Sequence, residues 1–117
     1  LDRLMERKVE VHCRSCFLQG LLAMKKEDIP RKFAPWDKLW RKWHHWLGKN
    51  GHISAVEACI AFVSAFDGVD KIVVGVDSQK QLEELVAATS KTIDIKSFPD
   101  ISTDDAQLIL PSNWINL

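Results

Sequence analysis

Three groups of residues in this chain have the types and spacing for chemistry. The first is Lys71 to Val86, KIVVGVDSQKQLEELV. It reads as a short apolar strand (Ile72 to Val74), a glycine (Gly75), a polar turn (Asp77, Ser78) and an amphipathic helix (Leu82, Leu85, Val86). A strand that turns tightly into a helix aims unpaired backbone N–H groups and the positive end of the helix dipole at one point, which suits phosphate. Ser78 followed by Gln81 fits a capping box that fixes the start of the helix. Any βα unit needs a turn and a cap, so this pattern alone does not require a ligand. The second group is Cys13 and Cys16, a CxxC pair beside His12. A zinc site would need two more ligands from His44, His45, His52 or Cys59, and none of these is spaced as a second pair. A redox dithiol belongs at a helix N-terminus, whereas this pair sits at a strand end. The third is His44-His45, adjacent on a helix and therefore pointing in different directions. No metal is expected.

The elements that must carry these residues follow from periodicity. Leu1 to Lys8 looks like the last turns of a helix, with Leu1, Leu4 and Met5 on one face. Val9 to Cys13, VEVHC, alternates as a strand does, and the chain leaves it at Arg14-Ser15. An apolar run around Gly20 suggests a bend or a close backbone approach. Pro35 to Gly48, PWDKLWRKWHHWLG, puts Trp36, Leu39, Trp40, Trp43, Trp46 and Leu47 on one broad face and Asp37, Lys38, Arg41, Lys42 and His45 on the other. Such a helix reads as core cover, as a membrane-interface helix or as a stacking platform for single-stranded nucleic acid. Ser54 to Phe66 is a helix apolar nearly all round, opened by a Ser54–Glu57 capping box and covered on more than one side. Gln79 to Ala88 is the helix of the phosphate cradle. Residues 89–117 form a tail with a helical turn at Thr103 to Gln107, packed against the body.

Composition narrows the function classes. The chain has 117 residues, a formal net charge of zero and three cysteines. One domain at most is expected, without the charge of a general nucleic-acid binder or the cysteine density of a disulfide scaffold. Free thiols favour a reducing, cytoplasmic setting, and no apolar run is long enough to span a bilayer. The chain begins with Leu1 inside a helical pattern, which suggests that a longer parent precedes it. Two strands separated by helices imply parallel pairing. Two parallel strands leave edges and faces without cover, so partners are expected from the parent or from a second copy.

Four stretches in this order resemble the C-terminal part of an aldo-keto reductase: Arg14 to Leu22 (RSCFLQGLL), the capped helix Ser54 to Phe66, KIVVGVDSQKQLEEL from Lys71, and LILPSNW from Leu108. The resemblance implies an α/β fold, the last two β/α units and tail of a (β/α)8 TIM barrel. Residues 1–8 would end its sixth helix, 9–24 give the seventh strand and loop, 35–66 the helical connection and seventh helix, and 69–88 the eighth strand and helix. It implies hydride transfer between NAD or NADP and a small carbonyl or alcohol substrate. Ser15 and Phe17 match positions at the cofactor pyrophosphate, and Arg14 the position against the nicotinamide. Gly75, Val76, Asp77 and Ser78 match the loop at the adenosine phosphate, and Gln81 a side chain near the adenine ribose. Asp77 would repel a 2′-phosphate, which tilts the choice to NAD. Leu85 stands where many members carry an Asn that touches adenine. The family's catalytic Asp, Tyr, Lys and His lie on early strands, and this chain has no Tyr. No catalytic residue is assigned, and the segment by itself is expected to be inactive. Nucleic acid and membrane are not expected as partners. The alternative is a non-catalytic module that associates through its exposed strands and Trp-rich helix.

Overall fold

The computed structural model describes residues 1–117, the side chain of Ile95 excepted. In chain order the regular elements are α1 (Asp2–Glu6), β1 (His12–Arg14), α2 (Asp37–Lys49), α3 (Ala55–Ser64), β2 (Lys71–Val73), α4 (Gln79–Ala88) and α5 (Ala106–Ile109). Short 3-10 turns at Leu21–Ala23, Lys26–Asp28, Arg31–Trp36, Ile95–Ser97 and Pro111–Asn116 join them.

The fold is mostly helical, with two strands of three residues each, and this overturns the expected barrel fragment. The two strands do pair in parallel, with His12 opposite Lys71, Cys13 opposite Ile72 and Arg14 opposite Val73. But a barrel wall needs strands that close on one another, and this sheet stops at two. Its inner face, Cys13 and Ile72, is half-buried, while His12, Arg14, Lys71 and Val73 are exposed. The chain buries its apolar residues between helices and loops instead. One cluster joins Leu21, Phe33 and Trp40 to Leu108 of the tail. A second joins Trp43 and Trp46 to Ala58 and Cys59 of α3. A third sets Ile60 of α3 against Leu85 and Ala88 of α4, with Ile72 and Val74 beside them.

The expected helix from Pro35 splits. Pro35 lies inside a 3-10 turn, and the α-helix starts at Asp37, because proline suits only the opening turn. The tryptophan face is core: Trp40, Trp43 and Trp46 are buried. Each indole N–H donates to a carbonyl, Trp40 to Phe33 (3.0 Å), Trp43 to Leu22 (2.9 Å) and Trp46 to Ser97. Trp36 donates to a carboxylate oxygen of Asp105 (2.9 Å), and Trp114 to the Leu108 carbonyl (2.8 Å). A buried indole must find such an acceptor, and the acceptors here lie in connecting segments and the tail. The faces needed for lipid insertion or base stacking are therefore used inside the protein.

The capping box of α3 forms as expected: Glu57 N–H donates to Ser54 Oγ (3.1 Å) and Ser54 N–H to Glu57 Oε2 (2.8 Å). Strand positions shift from Val9–Cys13 to His12–Arg14 and from Ile72–Val74 to Lys71–Val73. Asp70 sets that shift, because its carboxylate accepts from Val11 N–H (2.7 Å) just before the ladder begins.

Candidate functional site

The C-terminal ends of β1 and β2 open into one cavity of about 830 Å³. The loop after β1 forms one wall and the start of α4 the other. Six of the eight expected site residues line it: Arg14, Ser15, Phe17, Gly75, Asp77 and Gln81. Val76 and Ser78 do not. Val76 is exposed beyond the strand, and the Ser78 hydroxyl is the N-cap of α4.

The cap is one residue out of the expected pattern. Gln81 N–H donates to Ser78 Oγ (3.2 Å), but Gln81 Oε1 accepts from Asp77 N–H (2.7 Å), not from Ser78. Two of the amides expected to face a phosphate are thus already satisfied by this chain's own side chains. The amides of Gln79 and Lys80, in the first turn of α4, have no acceptor within the helix.

Gly75 is not the special backbone position of the site. A Cβ there would meet nothing within 4 Å. Four left-handed residues lie in the loop of the opposite wall, at Ser15 (φ 63°), Leu18 (φ 47°), Gln19 (φ 53°) and Gly20 (φ 90°). For residues other than glycine that conformation costs roughly 1–2 kcal/mol each. It curls the chain after β1 so that Ser15, Gln19 and Gly20 all face the cavity. Gly20 makes a bend, as its position suggests, but no close approach.

The floor of the cavity is apolar, from Phe17, Ala23, Val56, Val74 and Leu85. Phe17 also packs against both the Trp43–Trp46 cluster and the α3–α4 cluster, so the floor is continuous with the core. The polar rim is mixed in charge. Arg14 makes no ion pair among the described residues, whereas Asp77 and Glu84 add two carboxylates. Sequence reasoning missed Glu84 and Gln19. Glu84 could have been found, because it lies three residues after Gln81 on the same side of the helix.

Two of the three thiols are held towards the protonated form. Burial and the neighbouring Cys13 push the Cys16 thiol up, and burial pushes Cys59 up to about 12. A thiol held protonated is a poor nucleophile and a poor metal ligand. Cys16 forms part of the wall between this cavity and an apolar one of about 460 Å³ lined by Trp43, Phe62 and Phe98. Among the described residues no three His, Cys, Asp or Glu side chains are grouped to hold a metal ion, and no helix is long and apolar enough to cross a membrane.

Comparison with protein-family models, curated proteins and solved structures finds no match. The likeness to aldo-keto reductases therefore rests on the residues themselves.

Proposed function

We propose that the cavity at the ends of β1 and β2 takes the diphosphate of a nicotinamide dinucleotide, and that the chain is the cofactor-binding portion of an aldo-keto-reductase-like oxidoreductase acting in the cytoplasm. The bound cofactor would supply hydride for exchange with a small carbonyl or alcohol. The observation that carries this reading is convergence: residues far apart in sequence, Arg14, Ser15 and Phe17 on one side and Gly75, Asp77 and Gln81 on the other, line one cavity.

The residues present fit such a group in part. The Arg14 guanidinium, free of an ion pair among the described residues, can donate two parallel hydrogen bonds to a phosphate. The Ser15 hydroxyl and the amides of Gln79 and Lys80 add neutral donors. The apolar floor around Val56 and Leu85 offers a flat ring a dry surface. Asp77 and Glu84 oppose additional negative charge, so a dinucleotide without a 2′-phosphate is preferred. No residue of the chain is assigned a proton transfer, because nothing in the cavity pairs a tyrosine with a base.

The test is titration of NADH and NADPH, followed by cofactor fluorescence and ligand-observed NMR. NADH is expected to saturate and NADPH to bind more weakly. Arg14→Ala should weaken NADH by about tenfold or more, the loss of a charge-assisted contact. Carbonyl substrates should not be reduced by the chain alone. Absence of saturable NADH binding, or binding indifferent to Arg14, would remove the proposal.

A further inference from the structure

A formal net charge of zero hides a segregation. Residues 25–49 carry eight Lys and Arg against three Asp and Glu, and residues 50–117 carry four against ten. The basic excess is concentrated on α2. Its exposed side chains Lys38, Arg41, Lys42, His45 and Lys49 recur at intervals of three and four residues, so they form one row along the solvent face. At the helical rise, successive steps of that row are about 4.5 to 6 Å.

The opposite face of α2 fixes the row in place. Trp40, Trp43 and Trp46 are buried and bonded through their indole N–H groups, so the helix cannot roll without breaking three hydrogen bonds. The cations are therefore displayed on a rigid rod. Carboxylates near the row include Asp37, paired with Arg41, Asp100, which draws on Lys42, and Glu27, which acts on the neighbouring His44. The Lys42 ammonium also donates to the Asp100 carbonyl (3.1 Å). These acids are outnumbered by the four Lys and Arg side chains of α2.

We infer that the solvent face of α2 docks on the phosphodiester backbone of a nucleic acid, without reading its bases. Four Lys and Arg side chains along one helix face can each meet a phosphate of an extended polyanion. An anionic membrane is a poorer match, because the row contains no exposed apolar side chain to enter the interface. An acidic protein is also a poorer match, because no aromatic or aliphatic anchor stands on this face. Base stacking is excluded by the same burial that makes the helix rigid. The surface lies outside the β1–β2 cavity, none of whose lining residues comes from α2. This inference is consequently independent of the dinucleotide reading.

The experiment is fluorescence anisotropy with labelled single-stranded and duplex oligonucleotides of two unrelated sequences, across salt concentrations. Saturable binding at low salt is expected, equal for the two sequences. The log–log salt slope should be about −3, for three to four displaced counterions. The combined variant K38Q/R41Q/K49Q should lose at least about tenfold in affinity and most of the salt slope. Its near-ultraviolet circular dichroism and its NADH titration should be unchanged, because all three side chains are exposed. The control variant K71Q/K91Q should bind as the parent does. Four results would each overturn the inference: no saturation at low salt, unaltered binding by the triple variant, dependence on base sequence, or binding to phosphatidylserine vesicles in preference to oligonucleotides.

Discussion

The molecule has two regions built on different principles. In the region around α2, large aromatic side chains fill the interior. Phe33 packs edge-on against Trp114 at 4.8 Å, and Trp43 stacks on Trp46 at 5.7 Å. In the region of β1, β2 and α4, by contrast, apolar side chains remain in water. Val73 is 53% exposed, Leu82 49% and Val86 62%. The first region has each of its tryptophan indole N–H groups matched by an acceptor. The second has short strands, a left-handed loop and an open cavity. Aromatic packing is concentrated in one region, and exposed apolar side chains and left-handed backbone in the other.

The sharpest way to break this contrast is to remove an aromatic. Trp43→Ala leaves a large void and frees the Leu22 carbonyl that the indole satisfies, so a loss of about 3–5 kcal/mol is expected in urea unfolding. Leu82→Ala on the exposed flank of α4 should cost within about 0.5 kcal/mol. Equal losses at the two sites would erase the distinction. A smaller effect is expected at the start of α3, which joins the two regions. Ser54→Ala removes one half of the capping box and should cost about 1 kcal/mol. An unchanged midpoint would mean that packing alone holds that helix.

The third test uses pH. Burial and the nearby Lys26 hold His44 below the usual histidine range, and its ring Nε2 is buried without a partner. The unfolded chain therefore takes up a proton here more readily than the folded one. The stability present above the ordinary histidine pKa should decline as pH falls through it towards the lower folded value. Melting temperature measured from pH ~7.5 down to ~5.5 should fall, and His44→Phe should flatten the profile. A profile of the same slope in the variant would assign the effect elsewhere. Glu10 and Asp100 do not compete in this window, because both are held below the usual carboxylate range.

These differences also explain what could be read from the residues. Gln79–Ala88 and its Ser78 cap, the Ser54–Glu57 box and the buried face of α2 were legible, because each is set within one or two turns of helix. The strand positions were not, because they depend on the Asp70 contact with Val11 across the chain. The barrel was an extrapolation from resemblance, and a sheet of two short strands replaces it. In the cavity, Arg14, Ser15 and Gln81 could be named in advance. The left-handed run at Leu18–Gly20 could not, since neither leucine nor glutamine announces a positive φ.

The pairing of β1 with β2 has a kinetic consequence. Val11 and Asp70 meet across 59 residues of chain, whereas the contacts that seat α2 on its preceding turn are local, with Trp40 reaching back only seven residues to Phe33. Closing the longer loop carries the larger entropic toll and yields only six strand residues of ladder. The helical nucleus is thus expected to assemble first. The pocket comes into existence only at the final closure.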